Sequence, residues 1–532
     1  MNSSVVTDRE EFRSTAAEAD DQTRVPVEVR TTVADPFEAY RRARNDGDGV
    51  FLETSGGQSG WSYFGIDPIE RLQVGPNAVV IDGDSTTGDY QRSTPTLAAL
   101  EGVLDSETLA RGNCEVPYPA GALGWLSYDI ARELEAFPGD DPGTAVDSAV
   151  DDRGLPRLQL AVFDTLVGWE SPTGSGDVTL HVTSCPQVPA GVTDPTAPEL
   201  DNLYTEALDS CESVIDRLHT GDREVPPAPS PETDVEFVSD CGRDSFADRA
   251  SKVKDYIRDG DTFQANISQR LVAPAAVHPV EAYKALREVN PAPYSGLMEF
   301  GWGGRGADLV SASPELLLER LPSSDPTAGD RLVTEPIAGT RPRGATDEQD
   351  KQLETELTTD NKERAEHAML VDLERNDLGK VCEFGTVDVS EYRRVDRYSE
   401  VMHLVSLVEG RARADVSLGE AIAATFPGGT ITGAPKPRTM EIIDEQEMTR
   451  RGPYTGSMGI FGFDGRATLN IIIRTLTRDD DEYHLRVGAG IVHDSRPDEE
   501  YDETLDKGRA LVTAIDEALG GKRLRVAGAA DD

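Results

Sequence analysis

Residues Tyr483–Val512 read YHLRVGAGIVHDSRPDEEYDETLDKGRALV, a strand pattern that runs into a helix pattern. In YHLRVGAGIVH the apolar residues fall at alternate positions, with two glycines near the end. Ser495-Arg496-Pro497-Asp498 then supplies a helix start, with proline in the first turn, where its missing N–H costs nothing. Upstream, LVSASPELLLER (309–320) and ATLNIIIRTLTR (467–478) also read as strands, and they do not alternate strictly with the helical segments between them. That predicts an α+β fold, a large mixed domain of packed antiparallel sheets and helices rather than a doubly wound parallel sheet. No short-period repeat is evident.

The helix after Pro497 puts Glu500 and Glu503 on one face, with Lys507 one turn further. A second helix is predicted over Asp360–Leu378, DNKERAEHAMLVDLERNDL, with Gly379 just past its end. It holds Glu363 and Glu366 in the same relation. A solvated acidic face is the ordinary reading of one Glu-x-x-Glu pair, but the strict pattern occurs only twice in the 532 residues. Two such helices face to face would offer four hard oxygen ligands, suited to Mg²⁺ rather than zinc.

Acids must be weighed against a high background, because 98 Asp and Glu face 52 Lys and Arg, for a formal net charge of −46. Only nine of the bases are lysines. Such a surface repels nucleic acid and anionic membrane, so neither is an expected partner. At molar salt the Debye length shrinks to about 3 Å and carboxylate repulsion is screened, so the composition points to a halophilic setting. No apolar run approaches a membrane span. The acidic N-terminus does not read as a signal or transit peptide, and the five cysteines form no CxxC pair. A cytoplasmic protein is expected.

Residues 1–25 and 521–532 read as flexible tails. Between them, 26–220 forms one predicted domain, 221–243 a Pro- and Ser-rich linker, and 244–520 a second, larger domain.

Cationic and glycine-rich elements mark candidate anion sites: Arg341 and Arg343 in EPIAGTRPRG (335–344), Lys436 and Arg438 in FPGGTITGAPKPRTMEII, Arg474 after LNIII, and Gly488-Ala489-Gly490. Glycine admits backbone N–H groups close to an anion, and arginine grips carboxylates with two prongs. Ordinary turns and surface arginines are the plainer alternative. Glu315 sits in an apolar run where burial would raise its pKa toward general-acid use. His403 in SEVMHLVSLVEG is framed by Met and Leu, and a satisfied core histidine is the commoner meaning of that pattern. Gln264 in GDTFQANISQRL is neutral and cannot act as a base.

Taken in order from about 258 to 510, GDTFQANISQR, NPAPYSG, SASPE, EPIAGTRPRG, KERAEHAMLVDLERNDLG, VMHLVS, FPGGTITGAPKPRTMEII, RGPYTGSMG, IIIRT and GAGIVHDSRPDEEYDET resemble the chorismate-utilising enzymes, most closely the anthranilate synthase component I group. PFEAY, FLETSG, GWSYFGIDP and GALGWLSYDIARELE resemble the N-terminal domain of that group more loosely. The resemblance implies Mg²⁺ held by Glu366 and Glu503 with Glu363 and Glu500 in support, and chorismate bound by Gly339, Thr340, Tyr454, Arg474, Gly488, Ala489, Gly490 and Lys507. It further implies Glu315 as the general acid for the C4 hydroxyl, His403 as a histidine tied to the ring chemistry, and Gln264 as a catalytic-site residue.

Two positions discriminate within the family. Relatives that add water to chorismate carry a lysine where Gln264 stands, and aminodeoxychorismate synthases carry one where Ala338 stands. With neither lysine, the implied nucleophile is external ammonia, and the implied products are anthranilate and pyruvate, on the route to tryptophan. No cysteine lies in a Gly-x-Cys-x-Gly turn, so ammonia is expected from a separate glutamine amidotransferase subunit in a hetero-oligomer, or from free ammonium. A tryptophan feedback site is implied around Thr54, Pro293, Tyr294 and Ser295. The alternatives are an aminodeoxychorismate synthase component I or a non-catalytic chorismate-binding regulatory subunit.

Overall fold

The computed structural model describes residues 3–44, 49–77, 79–82, 91–93, 95–137, 148–174, 176–192, 194–232, 235–301, 306–325, 328–398, 401–521 and 525–526. Its framework is two large sheets, of fourteen and twelve strands among the described residues. Every described strand pair but one is antiparallel, the exception joining Glu236–Ser239 to Arg525–Val526. The sheets pack face to face through Val50, Leu123, Trp125, Phe163, Met298, Leu309, Met458 and Ile472. The helices Pro36–Ala43, Pro198–Thr220, Pro279–Val289 and Pro497–Ala518 cover the outer face of the larger sheet. Thr96–Leu104, Asn361–Gly379 and Leu418–Thr425 cover that of the smaller. This is the α+β arrangement the segment order predicts, with each sheet burying one face against its partner and one under helices.

Strands from both sides of residues 221–243 build both sheets. Val50–Glu53 pairs with Tyr294–Met298 in the larger sheet, and Gly121–Leu126 pairs with Ser457–Gly462 in the smaller. The linker-like stretch therefore joins two lengths of chain whose strands interleave.

Residues 1–25, expected as a frayed tail, instead contain the helix Arg9–Glu18, capped by the Asp8 side chain. Phe12 and Ala16, one turn apart, bury against Leu200 and Tyr204, and Arg13 pairs with Asp201 at 2.5 Å. Two apolar residues in an acidic stretch are enough for this, because the facing helix supplies the rest of the core. Of the second tail, 522–524 and 527–532 lie outside the described residues.

The two Glu-bearing helices form where expected. Asn361–Gly379 is capped by Asp360, whose side chain accepts from the amides of Lys362 and Glu363. Gly379 is not a left-handed residue past the helix end; it is the last helical residue, and the turn closes at Lys380, whose amide donates to the Asp377 carbonyl. In Pro497–Ala518, proline takes the first turn as predicted, with Asp498, Glu499 and Glu500 at the positive end of the helix dipole.

Candidate active site

The site forms where the chain passes from one sheet to the other. Asp308–Ser313 belongs to the larger sheet and Leu316–Leu321 to the smaller, and Glu315 stands between them. Arg474 occupies the matching position between Ala467–Asn470 in the smaller sheet and Thr475–Asp479 in the larger. The two crossings are tied together: the Ile471 amide donates to the Glu315 carbonyl at 3.0 Å, and the Ser313 hydroxyl donates to the Ile471 carbonyl at 2.6 Å. An acid and a base far apart in sequence are thereby made neighbours.

Glu315 is only 5 % exposed, and burial drives its pKa up to about 8, with the Thr430 hydroxyl opposing and the Glu374 carboxyl reinforcing the rise. It thus carries a proton at neutral pH and can donate it. Arg474 lines a cavity with Asn290, Pro291, Ala292, Pro293, Pro314, Tyr398 and Val401. Its backbone is left-handed, at φ +50°. Burial lowers its pKa, and its guanidinium makes no hydrogen bond or salt bridge among the described residues.

The other cationic candidates behave differently. Arg341 donates to Glu363 at 3.0 Å, and Arg343 grips Asp350 through two bonds of 2.9 and 3.0 Å. Lys436 pairs with Asp377 at 2.5 Å and Arg438 with Glu441 at 2.8 Å. In a chain this acidic these four cations are already paired with carboxylates, so the expectation that they mark an anion site is corrected. Arg474 differs because the acid beside it, Glu315, holds its proton and forms no ion pair with it.

His403 lies on Val401–Arg411, directly opposite Thr340 on Ile337–Pro342. Its Nδ1 is 3.1 Å from both the Gly339 carbonyl and the Thr340 hydroxyl. A carbonyl can only accept, so Nδ1 bears the hydrogen. Nε2 is a buried acceptor without a partner, and burial, aided by Arg474, lowers the imidazole pKa to about 4. The ring is neutral, not the satisfied core histidine that its pattern most often means. Gly339 needs its freedom at φ +71°, and a Cβ there would lie 2.8 Å from the Glu363 carboxylate.

The strand Glu482–Ile491 brings the remaining candidates in. A Cβ on Gly488 would sit 2.4 Å from Asn266 Oδ1 and 2.6 Å from the Tyr454 hydroxyl, and one on Gly490 would sit 2.7 Å from Gln264 Nε2. Gln264 Oε1 and Asn266 Oδ1 are buried without partners, so this end of the strand is lined by free polar atoms. Tyr454 is buried, its hydroxyl pKa pushed up to about 12. Ala489 is different: its methyl points into the core with Ala265 and Ile267, leaving only its backbone to the site. Lys507 pairs with Glu503 at 2.8 Å and donates to the Gly488 carbonyl at 3.0 Å. Gly488→Ala should therefore cost about 1–3 kcal/mol and displace Tyr454, read as a lower Tm with a raised KM for chorismate. An unchanged KM would separate that glycine from the ligand site.

Glu366 and Glu500 both have raised pKa values. For Glu366 the cause is burial, then the charges of Glu363 and Glu503; for Glu500 it is burial, then Glu503, with Ser495 opposing. The two helices thus confront like charges, which a divalent cation would relieve, and the all-carboxylate donor set suits Mg²⁺. Among the described residues no three His, Cys, Asp or Glu groups come together closely enough to hold an ion. Glu363 is engaged by Arg341 and Glu503 by Lys507.

The residues expected at an inhibitor site, Thr54, Pro293, Tyr294 and Ser295, lie near the paired strands Val50–Glu53 and Tyr294–Met298 but have separate partners. The Ser55 and Ser295 hydroxyls both donate to the Ala292 carbonyl, and Thr54 donates to the Trp61 carbonyl at 3.1 Å. Pro293 lines the cavity that Arg474 shares, while the Tyr294 hydroxyl turns away to Glu335 at 2.7 Å. Sequence reading missed Thr430, Glu374, Asn266 and Tyr398. None stands out by type or spacing, and only the fold turns them toward Glu315, Gly488 and His403 (the Tyr398 and His403 rings are 5.6 Å apart).

Residues 51–513 match the family described as chorismate binding enzyme, and the chain belongs to that family. Within it, the chain is 62% identical over 517 residues to anthranilate synthase component 1 1 of Haloarcula marismortui, covering 97% of each chain. It is 39% identical over 471 residues to aminodeoxychorismate synthase component 1 of Bacillus subtilis, covering 88% of this chain and 91% of that one. The crystal structure of anthranilate synthase component I from Streptococcus pneumoniae superposes with a TM-score of 0.67 at 28% identity, covering 85% of this chain and 92% of that one.

Proposed function

We propose that the chain is the synthase component of an anthranilate synthase, converting chorismate and ammonia to anthranilate and pyruvate. The observation that carries the reading is the meeting of a protonated buried carboxyl, Glu315, with the unpaired guanidinium of Arg474 at the two sheet crossings. The high identity to anthranilate synthase components over nearly the whole chain agrees with it. Arg474 and the Tyr454 hydroxyl receive a substrate carboxylate. Glu315 gives its proton to the departing C4 hydroxyl, which leaves as water with the C–O electron pair, while ammonia adds at C2. Neutral His403, with Nε2 free, then takes up the C2 proton as the C3–O bond breaks, so that the ring becomes aromatic and the enolpyruvyl group leaves, to be protonated to pyruvate. Gly339, Thr340 and the Gly488–Gly490 backbone shape the walls, and Gln264 lies beside Gly490.

Glu366 and Glu503, with Glu363 and Glu500 behind them, would hold Mg²⁺, which when bound would supply positive charge to a ring carboxylate. Chelation should abolish turnover, and Glu503→Gln should raise the Mg²⁺ needed for half-maximal rate about tenfold or more. Full activity after exhaustive chelation would remove the metal from the scheme. A separate amidotransferase subunit delivers the ammonia, and tryptophan acts at the Thr54–Ser295 region. The setting is a cytoplasm of high ionic strength; among the described residues no helix is long and apolar enough to cross a membrane. The test is incubation with chorismate, Mg²⁺ and ammonium in high salt, followed by product identification. Anthranilate is expected; 4-amino-4-deoxychorismate would select the folate-branch alternative, and no turnover a binding subunit.

A further inference from the structure

One buried carboxyl near the site has no role in that scheme. Glu374, on the helix Asn361–Gly379, is 5 % exposed and forms no salt bridge among the described residues. The cation beside it is committed elsewhere: Lys436 pairs with Asp377 at 2.5 Å. One short loop separates Glu374 from Glu315. A Cβ on Gly429 would lie 3.5 Å from Glu374 Oε1, and one on Gly428 would meet Ile471 and Leu317, which flank Glu315; the buried hydroxyl of Thr430 lies near Glu315 without a formed hydrogen bond.

We infer that Glu374 is a positioning residue for Glu315, its carboxyl seated behind the Gly429–Thr430 loop so that Glu315 keeps its proton, an inference that rests on the reading of Glu315 as the general acid. A second carboxyl in the same dry pocket disfavours ionisation of the first. Glu374 raises the Glu315 pKa, after burial as the main cause; Thr430 and Arg474 act the other way. Burial, and then Asp377, raise the pKa of Glu374 itself, while Lys436 and the nearby Thr334 hydroxyl and Gly429 amide act the other way. Removing the Glu374 charge therefore moves the Glu315 pKa down.

The test is the alkaline limb of kcat, followed by anthranilate fluorescence with saturating ammonium. Glu374→Gln, close in shape, should move that limb to lower pH by about half a unit or more while leaving the rate at lower pH near wild type. Thr430→Val, which removes a group stabilising the Glu315 carboxylate, should move it to higher pH. Glu374→Asp should restore the wild-type limb. Opposite displacements by the Gln and Val variants support the inference. A uniform loss of rate with an unmoved limb, or displacements of the same sign, overturns it. Lack of turnover in the wild-type protein would overturn the functional reading and this inference with it.

Discussion

Replacing Glu315 with Gln should slow anthranilate formation by on the order of 10²–10⁴-fold, the usual worth of a positioned acid. The amide matches the carboxyl in shape, so the fold and the KM for chorismate should hold. What it lacks is a proton to give. Wild-type activity should also fall as pH rises through about 8, because burial raises the Glu315 pKa and only its protonated form can protonate the leaving hydroxyl. The Gln variant should show no such limb. A loss of less than tenfold, or an unchanged alkaline limb in the variant, would return Glu315 to a packing role.

Arg474→Met should raise the KM for chorismate by about two orders of magnitude without lowering the Tm. Removing one member of a buried charge pair costs roughly 2–5 kcal/mol in binding, about 30- to 4,000-fold. Stability should move the other way. Among the described residues Arg474 has no salt-bridge partner, and burial already lowers its pKa, so its charge opposes folding until an anion arrives. Methionine fills a similar volume without that penalty. The left-handed backbone at φ +50° strains either side chain alike and so cancels in the comparison. A steep fall in Tm with an unaltered KM would make Arg474 a structural residue.

Much of the molecule is legible without coordinates because it depends on local rules. Pro497 and Asp360 mark helix starts whatever packs against them, and three-residue spacing puts Glu363 with Glu366 and Glu500 with Glu503. Failure to alternate strand with helix excludes a doubly wound sheet. Where local rules missed, a distant surface had intervened: the helix at residues 9–18 is held by Leu200 and Tyr204, and no window around Phe12 contains them.

By itself the sequence determined the α+β class, the two Glu-bearing helices, the glycines of the 488–490 strand and membership in a chorismate-binding family. Only the tertiary structure decided which charges are available. Arg341, Arg343, Lys436, Arg438 and Arg474 all read as cations in the sequence, yet four pair with carboxylates and one faces a cavity. The tertiary structure likewise decided that Glu315 ends beside Arg474, because both stand where the chain leaves one sheet for the other and Ser313 and Ile471 bolt the crossings together. Burial and pairing are sums over neighbours brought in from anywhere in the chain, so the proton on Glu315 and the free charge on Arg474 exist only once both sheets are closed.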